Sequence, residues 1–134
     1  MQIANLLGTK GTGVIALLPD TTILNAALLL SDQSIGVAAV IDQDEGLVEI
    51  LSERDITRGV AEYGVEVVSL RVDQLMTSEI ISCSPETSIE HAISLMHDNG
   101  IRHLPVIEEG NRLLAMISIR DLVARSVSSN PFIG

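Results

Sequence analysis

The chain has 134 residues, 18 acidic against 8 basic side chains, a formal charge of −10, and only two aromatic rings, Tyr63 and Phe132. That length suits a compact domain with a substantial core. The charge argues against a nucleic-acid-binding face or an electrostatic anchor on an anionic membrane, and the missing rings argue against a base-stacking platform.

The first predicted element is an amphipathic lead-in over 3–7, followed by a Gly-containing loop over 8–13. A short apolar strand over 14–17 leads to the turn Leu18-Pro19-Asp20-Thr21. A helix then starts near Thr22, with Ile23, Ala26, Ala27 and Leu30 at helical spacing on one face. Strands over 37–41 and 47–51 follow, joined by the acidic, Gly-containing connector 42–46, which suits a hairpin. A helix from Glu53 to about Val60 closes this stretch before Tyr63-Gly64. A second lead-in, Val72-Asp73-Gln74-Leu75-Met76, resembles Ile3-Ala4-Asn5-Leu6-Leu7. The series then repeats. It has a strand over 80–83, a turn at Ser84-Pro85-Glu86-Thr87, and a helix from about Ser88 with a capping-box pattern, Thr87-x-x-Glu90. Its apolar stripe is Ile89, Ala92, Ile93 and Met96. Strands over 103–107 and 113–117 and a helix from Ile119 to about Ser126 complete it.

The repetition is a duplication. Displacing the chain by 66 residues aligns 19–56 with 85–122 without a gap, 38 positions, and 13 are identical, among them Pro19/Pro85, Thr21/Thr87, Ser52/Ser118, Arg54/Arg120 and Asp55/Asp121. The predicted class is α/β (α+β), strand–helix–strand–strand–helix twice, with mixed sheets. The predicted boundaries are 1–66 for the first repeat with its lead-in helix, 67–127 for the second with its lead-in turn, and 128–134 for a flexible tail. The two repeats are expected to pack through their sheets about a pseudo-twofold axis, so that any cleft occurs twice.

Apolar runs reach only five residues, as in Ala26-Ala27-Leu28-Leu29-Leu30, far short of a membrane-spanning helix. The opening segment lacks the basic and apolar regions of a secretion signal, and the lone Cys83 has no disulfide partner, so a cytoplasmic location is expected. Cys83 is expected to be a small buried hydrophobe.

The motif with most chemical content is Ser52-Glu53-Arg54-Asp55 and its copy Ser118-Ile119-Arg120-Asp121, each where a strand gives way to a helix. Ser52 and Ser118 suit helix N-caps, and Asp55 and Asp121 suit the positive end of the helix dipole. The same geometry suits a nucleotide. A helix N-terminus offers N–H groups to a phosphate, a serine adds a hydroxyl, an aspartate accepts ribose hydroxyls, and an arginine presents a planar fork. Seven of the 8 basic residues are arginine, which favours recognition of phosphate or carboxylate over mere solubility. Arg54, Arg102 and Arg120 lie inside the repeated motifs; Arg58, Arg71, Arg112 and Arg125 are expected to be solvated or salt-bridged. A second candidate is Ile101-Arg102-His103-Leu104-Pro105-Val106, where a proline removes a strand donor beside a charged pair. The first repeat has Ile35-Gly36-Val37-Ala38-Ala39-Val40 there, so the two sites differ. His91, His97 and His103 lack metal-ligand spacing, and no nucleophile–base pair is visible, so neither a metal nor catalysis is expected.

These motifs, with Leu75-Met76-Thr77 and Ser84-Pro85-Glu86-Thr87-Ser88, resemble a tandem pair of cystathionine-β-synthase-type (CBS) domains, a Bateman module, of the stand-alone bacterial kind, over roughly 1–126. The resemblance implies two β-α-β-β-α repeats and regulatory binding of an adenosine-containing ligand (AMP, ADP, ATP, NAD(H) or S-adenosylmethionine) in clefts between them. It assigns the ribose to Asp55 and Asp121 and phosphate to Ser52 and Ser118. The base falls among Ile15, Val37 and Ala38 in one copy, and Ile81, His103 and Leu104 in the other. It also implies a homodimer and a regulated protein the sequence does not name, with no required cofactor. Glu49 and Ala115 stand where many members have glycine, and a carboxylate beside a phosphate would repel it. The site around Arg102, His103 and Asp121 is therefore expected to be the better one. The alternative is a non-catalytic interaction scaffold with one or both clefts empty.

Overall fold

A computed structural model describes residues 1–10, 15–44, 46–75 and 80–128, with side chains outside 8–10 and 125–128. Met76, Thr77, Val14 and the segment 129–134, which the sequence assigned to a motif, a strand and a tail, lie outside the described residues. Helices and strands interleave as the α+β class requires. The chain forms two compact units, 15–80 and 1–14 with 81–134.

In the unit 15–80, a three-stranded sheet runs β1 (Ala16–Leu17), β2 (Val37–Ile41), β3 (Leu47–Ser52), with β1 parallel and β3 antiparallel to β2. Helix α2 (Ile23–Gln33) begins at Thr22, whose hydroxyl accepts from Asn25 N at 3.2 Å. It ends at Ser34, in the left-handed conformation at φ 54°. Its buried stripe, Ile23, Ala26 and Leu30, meets Ala38, Val40 and Leu51 from the sheet in one aliphatic core. The β2–β3 connection is held by Asp42, whose Oδ1 accepts from Asp44 N and Gly46 N, both at 2.9 Å. Helix α3 (Glu53–Tyr63) continues from β3 without a loop and ends at Gly64, φ 64°. Two 3-10 turns, Gly64–Ser69 and Val72–Gln74, bury Val67 and Val72 in the same core.

In the other unit, β4 (His103–Glu108) and β5 (Arg112–Ser118) form an antiparallel pair. They pack with α1 (Ile3–Lys10), α4 (Ile89–Asn99) and α5 (Ile119–Ser128) around Ile3, Leu6, Met96, Leu104, Val106, Ile117 and Leu122. The strand predicted over 80–83 is reduced, among the described residues, to one parallel bridge, Cys83 to Val106. The cause is Pro105. In the first repeat the equivalent pairing, Ala16 with Ala39, calls on the N–H of residue 39; its counterpart, residue 105, has none to give. The predicted cap of α4 is also one residue early. Ser88 is the N-cap, accepting from His91 N at 3.1 Å, while Thr87 Oγ1 accepts from Ser84 N at 3.0 Å.

The compact units do not follow the repeat boundaries at 66 and 67, because each lead-in docks on the other repeat's first helix. Ile3 N donates to Thr87 O (2.8 Å), Ala4 N to Pro85 O (2.7 Å), and Ile89 N to Met1 O (2.9 Å). The second lead-in repeats the pattern. Val72 N donates to Thr21 O (2.8 Å), Asp73 N to Pro19 O (3.2 Å), and Ile23 N to Leu70 O (2.7 Å). The matched lead-ins of the sequence thus dock in the same way, and each supplies apolar side chains to the core around the other repeat's first helix.

Candidate functional site

Each unit builds the same corner from a strand that starts and a helix that starts. In the unit 15–80, Val37 opens β2 and pairs with Ser52, the last residue of β3. Glu53 N donates to Gly36 O at 2.9 Å, fixing the first turn of α3 against the strand. Ser52 caps that helix. Asp55 N donates to Ser52 Oγ at 3.2 Å, and Ser52 N donates back to Asp55 Oδ2 at 2.9 Å. The serine hydroxyl donates to the same Oδ2 at 3.0 Å. Arg58, one turn along, donates through Nη2 to Asp55 Oδ1. The Asp55 side chain is 10% exposed and that of Arg58 57%.

The other unit repeats the corner. His103 pairs with Ser118 across β4 and β5, and Ile119 N donates to Arg102 O at 2.8 Å. Ser118 N donates to Asp121 Oδ2 at 2.9 Å, and Asp121 N to Ser118 Oγ at 3.1 Å. Position 124, equivalent to 58, is alanine.

These corners qualify the phosphate expectation. Of the helix N-terminal N–H groups, those of Glu53 and Asp55, and of Ile119 and Asp121, are already donated within the unit. The cationic contribution therefore falls to arginine. Arg54, Arg120 and Arg102 are exposed around the corners. Ile15, just before β1, is 36% exposed, and Val37, Ile81 and His103 are half-buried. Ala38 and Leu104 are 1% and 0% exposed and belong to the two cores, so they can meet a base through their backbone, not their side chains.

Glu49 is 4% exposed and shares its face of β3 with Leu47 and Leu51, opposite to Ser52. Burial raises its pKa, the nearby Asp55 charge adds to the rise, and the Ile50 N–H, which donates to it at 3.3 Å, lowers it in part. Burial also pushes the Cys83 thiol up to about 12, as suits a packing residue. Arg71 and Arg112 keep the structural roles given to them, since Arg71 pairs with Asp73 at 3.0 Å and Arg112 with Glu108 at 3.5 Å, while the Arg125 side chain lies outside the described ones. The contact of Arg58 with Asp55 is the feature of the corner that the motifs did not single out. Its signal was the spacing of three along one helix.

A family model for the CBS domain matches the chain twice, over 11–62 and 72–128. An uncharacterized 17.7 kDa protein of Acidianus ambivalens is 32% identical over 111 residues, 83% of this chain and 66% of its own length. The CBS domain-containing protein YhcV of Bacillus subtilis is 31% identical over 121 residues, 90% of this chain and 84% of its own. The inosine-5′-monophosphate dehydrogenase of Methanocaldococcus jannaschii is 30% identical over 112 residues, but the match spans only 21% of that enzyme. Among solved structures, a CBS-domain containing protein of Agrobacterium tumefaciens is 32% identical with a TM-score of 0.86, over 94% of this chain and 93% of its own. The CBS domain pair of protein MJ0100, in complex with 5′-methylthioadenosine and S-adenosyl-L-methionine, shares the fold at 18% identity, with a TM-score of 0.83 over 97% of this chain and 98% of its own.

Proposed function

From the premise that this chain belongs to the CBS domain family and carries the domain twice, we propose that it is a regulatory module that binds an adenosine-containing ligand. The ligand class is AMP, ADP, ATP or NAD(H), and no cofactor is required. The observation that carries the reading is the duplicated corner, in which a serine and an aspartate three residues apart are locked together where a strand meets a helix. That lock holds a carboxylate in one orientation, as a ribose diol needs. The adenosine ligands of the MJ0100 pair support the ligand class.

In this reading Asp121 holds the ribose, with Ser118, Arg120 and Arg102 toward any phosphate and Ile81, His103 and the Leu104 backbone toward the base. Asp55, Ser52, Arg54, Ile15, Val37 and the Ala38 backbone are the counterparts. The module is not itself catalytic. It signals by binding the ligand unequally in two conformations or assemblies, because only unequal affinity shifts an equilibrium. Self-association is part of the proposal. Leu24 and Leu28, four residues apart on α2, are 48% and 52% exposed and give an apolar strip for a second copy.

A thermal-shift screen with AMP, ATP, NADH and S-adenosylmethionine tests the reading. A specific ligand at a hundred times its Kd stabilises by about 2.7 kcal/mol. No shift with any of the four favours a scaffold without an adenosine ligand. In calorimetry, Asp121→Ala is expected to abolish or greatly weaken binding at its corner, with the circular dichroism spectrum retained; unchanged affinity refutes the assignment of Asp121.

A further inference from the structure

Asp55 is nearly saturated. A carboxylate offers about four acceptor positions, two on each oxygen. Oδ2 takes the Ser52 N–H at 2.9 Å and the Ser52 hydroxyl at 3.0 Å, and Oδ1 takes the Arg58 guanidinium. A ribose diol brings two more donors. The Ser52 bonds belong to the cap that starts α3, so Oδ2 is committed to the fold. Oδ1 is the oxygen a ligand would use, and there the guanidinium holds a place the diol needs. The Asp55 side chain is 10% exposed and that of Arg58 57%.

We propose that Arg58 is an internal latch on the Asp55 site: it occupies the carboxylate that a ribose diol would engage and weakens diol binding at this corner. This rests on the reading that Asp55 receives a ribose. Arg58 lies in the first repeat, and the equivalent position in the second is Ala124. Arg58 acts through Asp55, as a positioning residue rather than a direct contact.

The test uses the full chain with Asp121→Ala as background, so that the Asp55 corner is followed alone. The probe is adenosine, which is uncharged and leaves phosphate attraction to arginine out of the measurement. Adding Arg58→Ala is expected to tighten adenosine by about fivefold in calorimetry, the scale of one largely exposed ion pair. The gain should be absent for 2′,3′-dideoxyadenosine, which has no diol; a merely structural effect of the substitution would move both probes alike. Arg58→Gln, with a neutral side chain of similar reach, should show the same sign. Adding Asp55→Ala should abolish binding. If Asp55→Ala abolishes adenosine binding while Arg58→Ala leaves it unchanged or weaker, the latch is overturned and the ribose role of Asp55 stands. If adenosine binds neither the background protein nor Arg58→Ala, both the latch and the ribose role of Asp55 are overturned.

Discussion

Two residues show how a single side chain tunes this fold away from any ligand. Glu49 is a carboxyl among aliphatic side chains, where its counterpart is Ala115. Its folded pKa is raised, so the unfolded state binds fewer protons than the native one across that window. The native state is then favoured below the ordinary value of 4.5 and loses that advantage as pH rises through the raised pKa. Glu49→Gln should therefore be more stable than the parent at pH 7, with the difference closing in acid; denaturant titrations at both pH values check it. Ser34 ends α2 at φ 54°, and the equivalent residue of α4 is Gly100 at φ 63°. Only glycine adopts that conformation without steric cost, so Ser34→Gly should stabilise by about 0.5–1 kcal/mol in chemical denaturation. The ionic role of Arg58 was within the scope of the sequence, which allowed a salt bridge for it. Its partner was not, because a motif that explains Asp55 as helix-dipole partner and ribose ligand leaves no reason to look for a third contact.

At the scale of elements, α3 is held to the linker that follows it through Gly59. A methyl group added there would lie 2.9 Å from both Leu75 Cδ1 and Val67 Cγ2. Gly59→Ala gains up to about 1 kcal/mol of helix propensity but forces the two 3-10 turns away, and overpacking of this kind costs about 1–3 kcal/mol. A net loss is expected, read as a lowered denaturation midpoint. The helices and the hairpin strands were legible because apolar spacing and turn residues agree along the chain. The strand at 80–83 was not, since its apolar run matches the first copy and its failure lies in a proline more than twenty residues away. The cap of α4 was misplaced because Thr87 and Ser88 are both good caps, and a competing bond from Ser84 N decides between them. The corners were legible down to the serine and aspartate of each. What escaped was that the cap consumes N–H groups the sequence assigned to phosphate, since a pattern names donors but not their existing partners.

For the molecule as a whole, the charge of −10 sets the salt dependence of any ligand. A negative field repels anions, and added salt screens it. ATP affinity should improve relative to adenosine as ionic strength rises; calorimetry with both ligands at low and physiological salt gives the comparison. The exchange of lead-ins has its own consequence during synthesis. Residues 15–80 form one unit from a continuous segment, whereas the other needs both 1–14 and 81–134. A chain emerging from the ribosome therefore completes the inner unit first. Helix α1 is made before α4 yet docks on the segment that starts it, so it has no docking place until α4 appears. Throughout that interval the apolar face of α1, with Ile3 and Leu6, is without its core. The α1 segment thus folds only after a later-made helix has appeared, and its apolar face is open to aggregation in the meantime.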